Sequence, residues 1–154
     1  MKNKHICAAH LRVCFLRQGE NTPRYVTSVC TGAFILGAAG LLKGRRATTH
    51  WAFTELLPLV GATHEKARIA RHGNAITAGG VTSGIDFGLK VVAEIAGEAT
   101  AQPIQLGLES DPHPPLDAGH PDFARDAAKA TVFPRYEKAR SVFRDGIARL
   151  STLH

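Results

Sequence analysis

A thiol that follows a run of β-branched residues and precedes a small, turn-forming pair is placed to act as a nucleophile. Cys30 has this setting in Val26-Thr-Ser-Val-Cys30-Thr-Gly32. A strand ending at Val29 and a helix starting after Cys30 would aim the sulfur away from the packed sheet and toward the positive end of the helix. Free amides there stabilise an anion and lower a thiol pKa from about 8.5, and the thiolate is the reactive form. Thr31 adds a backbone N–H and a hydroxyl beside the sulfur. Gly32 permits close approach of helix to strand, and both residues would help to bind a developing anion. The arrangement is that of a nucleophile on a strand-to-helix elbow with sulfur in place of oxygen, although Ser28 stands where that elbow carries glycine. Taken locally, the same pattern also suits a buried cysteine that acts only as a small hydrophobe.

His50, in Ala47-Thr-Thr-His50-Trp51, could serve the thiolate as a base or ion-pair partner if the chain returns to the same sheet edge. Its alternative is a histidine hydrogen-bonded inside its own loop. Gly79 and Gly80 open Gly79-Gly80-Val-Thr-Ser-Gly84, between a strand pattern and a helix pattern, where a ligand can approach the backbone closely. The spacing fits neither phosphate-binding fingerprint, so a wall of a small-molecule or oxyanion pocket is the better reading. Asp86 could act as an acid, but its spacing from Ser83 favours a capping box. His5, Cys7, His10 and Cys14 come nearest to a metal-ligand set, without the second pair that a zinc finger needs. His64, His72, His113 and His120 form no recognised metal spacing, and neither a metal nor a cofactor is expected.

The elements that must position these groups follow from periodicity. Arg24 to Val29 reads as a buried strand, and small and apolar residues continue as a helix to Leu42. Trp51 to Val60 has helical spacing and stops at Gly61. His72-Gly73-Asn74 separates two strand-like runs, Ala67 to Arg71 and Ala75 to Ala78, and predicts a hairpin. A helix should run from Ser83 to Ile95, with Gly97 as its stop, and another from Glu98 to Glu109 despite Pro103. Ser110 to Pro121 reads as a proline-rich loop. From Pro134 to Leu150, Tyr136, Ala139, Phe143, Ile147 and Leu150 share one face of an amphipathic helix, which should dock on the domain's own core or on a second subunit. Strands alternating with helices imply an α/β fold with an open, doubly wound parallel sheet, whose sites form at the carboxyl ends of strands. Met1 to Cys14 has no clear period, so the sheet is half supplied from the front.

Composition narrows the class. The chain has 154 residues, 44% apolar and 21% charged, which are values for one soluble domain. No apolar stretch approaches the roughly 18 residues of a membrane span, and no secretory signal is evident, so the cytoplasm is the simplest setting. Three cysteines, Cys7, Cys14 and Cys30, are too few and too irregular for a disulfide framework and suit a reduced compartment with one functional thiol. A formal charge of +6 would suit a nucleic-acid binder, but the basic residues are scattered. Lys43-Gly-Arg45-Arg46 is the one cluster, and it reads as a solvated loop.

Taken in order, five segments are similar to the DJ-1/PfpI superfamily and, within it, resemble the isonitrile hydratases. They are Tyr25-Val-Thr-Ser-Val-Cys-Thr-Gly32, Leu36-Gly-Ala-Ala-Gly-Leu-Leu42, Arg46-Ala-Thr-Thr-His-Trp51, Asn74-Ala-Ile-Thr-Ala-Gly-Gly-Val-Thr-Ser-Gly-Ile-Asp86 and Leu116-Asp-Ala-Gly119. The resemblance implies a flavodoxin-like domain over residues 15–123, dimeric, with a divergent start over 1–14 and a helical tail over 124–154. It implies that Cys30 is the nucleophile that adds to an isocyanide, that Thr31 assists it, and that His50 matches the superfamily's histidine. Gly32, Gly79 and Gly80 would line the pocket. Family members begin with a strand bearing an acidic residue near a Leu-Asp-x-x-Gly-Pro element. That element is absent from this sequence, so the first strands of the fold are expected to be missing and the chain to be a truncated member. The resemblance also extends to the ligand-sensing domain of AraC-type transcription regulators. A sensor, or an inactive truncated relative, is therefore the alternative to an enzyme.

Overall fold

A computed structural model describes residues 23–151. Strand β1 (Val26–Val29) leads through Cys30 and Thr31 into helix α1 (Gly32–Ala38), and a turn region follows. Next come β2 (Arg46–Ala47), a long 3-10 helix η1 (Trp51–Val60) and β3 (Thr63–His64). The hairpin β4 (Ile69–His72) and β5 (Ala75–Ala78) precedes a short 3-10 turn η2 (Val81–Ser83). Three helices complete the chain: α2 (Gly84–Ala96), α3 (Glu98–Gly107) and α4 (Asp126–Ser151). Among the described residues, no helix is long and apolar enough to cross a membrane.

β5 lies at the centre of a three-stranded sheet. It pairs in parallel with β1, Val29 opposite Ala78, and antiparallel with β4, His72 opposite Ala75. The sheet is therefore mixed rather than wholly parallel, because His72-Gly73-Asn74 makes the tight turn foreseen for it, with Gly73 at φ 61°. All four residues of β5 are buried, as a central strand covered on both faces requires. β2 and β3 pair in parallel as a separate two-stranded ribbon.

Several local expectations are corrected. The helix expected to reach Leu42 ends at Ala38, since Gly40 turns left-handed at φ 79° and the chain leaves the helix there. Trp51–Val60 is a 3-10 rather than an α-helix. Pro58 in its last turns has no N–H to donate, and Gly61 ends it at φ 75°. The capping box is not formed: the Ser83 hydroxyl donates to the Gly80 carbonyl at 2.6 Å, and Asp86 pairs with Arg68. The last helix starts at Asp126, eight residues before Pro134. An acidic first turn and the Ala-Ala-Lys-Ala run are strong enough helix formers to carry the helix across one exposed proline.

The core sits between the sheet, α1, η1 and α4. Leu42, Leu56, Leu57 and Ile76 are wholly enclosed. Phe34, Phe53 and Phe143 pack edge to face or tilted, with centroids 4.9 to 6.5 Å apart. The apolar stripe on α4 docks on this core as its periodicity indicated: Ile147 is buried and Tyr136, Ala139 and Phe143 pack against it. The side chain of Leu150 lies outside the described residues, as does the Met1 to Cys14 segment.

α1 and η1 approach so closely that a side chain on Gly37 has no room. A β-carbon there would lie 2.5 Å from a methyl of Val60. Gly37→Ala is therefore expected to cost about 1–3 kcal/mol by overpacking. Val60→Ala in the same chain keeps the Val60 β-carbon 2.6 Å away and should restore little of the loss, as urea midpoints of the two single variants and the double variant check.

Candidate active site

Cys30 occupies the carboxyl end of β1 with φ 57°, a left-handed conformation that a residue with a β-carbon rarely adopts. Holding it costs on the order of 1–3 kcal/mol, so the surroundings must over-determine it. They do so from both sides. The Cys30 amide donates to the carbonyls of Ala78 (3.0 Å), the last residue of the central strand, and Gly79 (2.8 Å), the next residue. The Cys30 carbonyl accepts from the Thr49 hydroxyl at 2.7 Å. The thiol is free and half-buried.

Thr49 and its neighbours bring the second candidate group to this turn. The Thr48 amide donates to the buried Thr77 hydroxyl on β5 at 2.8 Å, which fixes the Thr48-Thr49-His50 stretch against the central strand. His50 then caps η1, its Nδ1 accepting from the Ala52 amide at 3.2 Å. That bond leaves the proton of the neutral ring on Nε2. The opposite edge faces Gly80, where an added β-carbon would lie 3.4 Å from His50 Cδ2. Burial pushes the His50 pKa below its ordinary value, which favours the neutral imidazole. In this geometry His50 offers an N–H donor, not the free basic nitrogen anticipated from its spacing.

The remaining predicted residues are placed as follows. Thr31 begins α1, and its hydroxyl makes no capping bond. Gly32 sits against the strand, where a β-carbon would lie in ordinary contact, 3.5 Å from Ser28 Cβ. Gly79 is walled by the carbonyls of Arg68 and Thr49, and Gly80 by His50. Cys30, Gly79, Gly80 and His50 thus converge on one turn, fastened by Ser83 from below. Asp86 is committed to Arg68 and lies outside this cluster of contacts. Thr49 was not anticipated as part of the site, and the signal available was its position as a buried-type hydroxyl directly before His50. Tyr136, whose ring centroid lies 5.1 Å from that of His50, was read only as a core residue. Among the described residues no cluster of His, Cys, Asp and Glu could hold a metal ion, and the His5, Cys7, His10 and Cys14 set lies outside them.

Residues 3–94, which include the strand, Cys30, Gly79, Gly80 and His50, match the DJ-1/PfpI family. The chain belongs to that family. The sequence is 56% identical over 113 residues to an isonitrile hydratase from Pseudomonas putida, covering 73% of this chain and 50% of that protein. It is 38% identical over 93 residues to an HTH-type transcriptional regulator, CdhR, from Pseudomonas aeruginosa, covering 58% of this chain and 27% of the regulator. The fold superposes on a THiJ/PfpI family protein from Pseudomonas syringae with a TM-score of 0.86 and 37% identity, covering 94% of this chain and 61% of that one. The DJ-1/PfpI chain described here therefore spans about half the length of the hydratase and rather more of the solved relative.

Two outcomes follow from the geometry. Thr49→Val keeps the shape but removes the donor to the Cys30 carbonyl. It should lower unfolding free energy by about 1–3 kcal/mol, with Thr49→Ser close to the parent, as read by urea denaturation. The second concerns pH. The unfolded chain binds a proton at His50 near pH 6.5, and the folded chain only at lower pH. Stability contributed by the neutral ring is therefore complete above about pH 6.5 and is lost as pH falls through the window below it. His50→Gln should flatten this part of a stability-versus-pH curve. The slope that remains should belong to His64, which burial also shifts downward.

Proposed function

We propose that this chain is an isonitrile hydratase-like lyase that converts an isocyanide into an N-substituted formamide through the Cys30 thiolate. The observation that carries the reading is a cysteine at φ 57° whose amide and carbonyl are both hydrogen-bonded to distant segments, in a chain 56% identical over 113 residues to an isonitrile hydratase. Such a turn presents sulfur clear of the sheet, as attack on a small electrophilic carbon requires.

The steps balance without a cofactor. The thiolate forms a bond to the terminal carbon of the isocyanide, and that carbon takes up a proton from solvent to give a thioimidate. Water adds to the same carbon while the nitrogen gains a proton. The carbon–sulfur bond then breaks as the hydroxyl proton returns to solvent, which releases the neutral formamide and regenerates the thiolate. On this reading the Nε2–H of His50, on the ring edge whose Cδ2 lies beside Gly80, donates a hydrogen bond to the nitrogen as charge collects there. Thr31 supplies an uncommitted hydroxyl beside the sulfur, and Gly32, Gly79 and Gly80 bound the space for the substrate. On this reading the protein acts on a small molecule as a cytoplasmic homodimer, without nucleic acid or membrane as partner.

Purified protein incubated with cyclohexyl isocyanide should yield N-cyclohexylformamide, measured by gas chromatography. Cys30→Ser should reduce the rate by roughly a thousandfold or more. Folded parent protein that makes no formamide overturns the reading.

The similarity to an HTH-type regulator supports a second possibility, a ligand-sensing domain. Salt-sensitive, sequence-preferring DNA binding in a gel shift would favour the sensor over the enzyme.

A further inference from the structure

The C-terminal helix is joined to the candidate site by more than core packing. Tyr136 on α4 lies with its ring centroid 5.1 Å from that of His50, the planes tilted by 35°. It also meets Trp51 at 5.2 Å and Phe53 at 5.9 Å, both edge to face. Trp51 and Phe53 contact the imidazole too, but they belong to η1 itself and travel with His50. Tyr136 comes from a different element, beyond the residues 3–94 that match the family. α4 is in turn latched to η1, since Arg140 and Arg144 both reach Glu55, at 3.8 and 3.4 Å, and Phe143 packs on Phe53.

We propose that Tyr136 is a positioning residue of the candidate site, holding the His50 imidazole so that Nδ1 stays on the Ala52 amide and the Nε2 edge stays at Gly80. The inference rests on the reading that His50 donates a hydrogen bond during the reaction. An imidazole tethered by one hydrogen bond, with rings only on its own helix, can swing about χ2. A third ring, from α4, adds a contact that does not move with η1 and so limits that swing. An aromatic face would by itself favour an imidazolium. The downward shift at His50 says that desolvation outweighs this. Of the charged groups on the elements packed here, Glu55 pairs with Arg140 and Arg144, and Asp86 with Arg68, so the ring's surroundings are set mainly by these aromatics.

The test compares Tyr136→Phe, Tyr136→Leu and Phe143→Leu. The last removes a ring from the same face of α4 that touches Phe34 and Phe53, not the imidazole. Nuclear magnetic resonance of the histidine ring carbons and nitrogens gives the His50 pKa and tautomer in each folded variant, and formamide release gives kcat and KM. Tyr136→Phe should match the parent in both. Tyr136→Leu should raise the His50 pKa toward its ordinary value, mix the tautomers and lower kcat about tenfold, with KM changed less than about twofold. Phe143→Leu should lower stability while leaving the His50 titration in place. Should Tyr136→Leu fail to fold, Tyr136→Met, which removes the ring and keeps an apolar side chain of comparable reach, is read by the same criteria. An unchanged titration and tautomer in the ring-less variant, or an equal shift in Phe143→Leu, overturns the proposal. A parent protein without formamide activity would sink the functional reading alone, and the resonance data would still decide the role of Tyr136.

Discussion

The left-handed backbone at Cys30 is the constraint on which the other parts of the site depend. A side chain at φ 57° is unfavourable on its own, and it persists because its amide and carbonyl are engaged by segments distant in sequence. The amide is held by the end of β5, and the carbonyl by Thr49. Each partner must itself be fixed, and this requirement propagates through the fold. β5 is fixed by pairing on both sides, in parallel with β1 and antiparallel with β4. Thr49 is fixed because its neighbour Thr48 is tied to Thr77 on that same strand. Glycine at position 30 would relieve the strain and leave no thiol. The strain is thus the accompaniment of putting a reactive atom at this turn.

Several backbone segments meet at this junction without crowding it. A β-carbon on Gly32 would lie 3.5 Å from Ser28 Cβ, and one on Gly79 would lie 3.7 and 3.8 Å from the Arg68 and Thr49 carbonyl oxygens, all ordinary van der Waals separations. Gly80 is the tighter position: a β-carbon there would lie 3.4 Å from His50 Cδ2, so the imidazole is the neighbour that a side chain at that point would press on.

Much of this was legible in the sequence, for identifiable reasons. The strand-elbow-helix at Cys30 and the hairpin at Gly73 were readable because β-branched runs and glycine-containing turns constrain the backbone locally. The amphipathic face of α4 was readable because Tyr136, Ala139, Phe143 and Ile147 recur at helical spacing. What escaped was decided at a distance. Ser83 and Asp86 carry a capping-box spacing, but the Gly80 carbonyl and the Arg68 guanidinium compete for them and win. The 3-10 winding of η1 depends on how His50, Pro58 and Gly61 act together. Thr49 could not be assigned from spacing, since its partner is a carbonyl nineteen residues earlier. Tyr136 looked like core because a sequence shows which face is apolar but not that an imidazole lies under it.

The double duty of His50 limits what chemistry the site can run. As the N-cap of η1 it must accept a bond at Nδ1, and as a half-buried ring it resists protonation. A histidine acting as a general base through Nδ1 would surrender the cap, worth about 0.5–2 kcal/mol, and would place a charge among Trp51, Phe53 and Tyr136 with little water to solvate it. A hydrogen bond donated from Nε2 costs neither, because the ring keeps its proton throughout. The structural demand on Nδ1 therefore selects the role of the other nitrogen. A reaction that needs a hydrogen-bond donor near a thiolate suits this site better than one that needs a strong base.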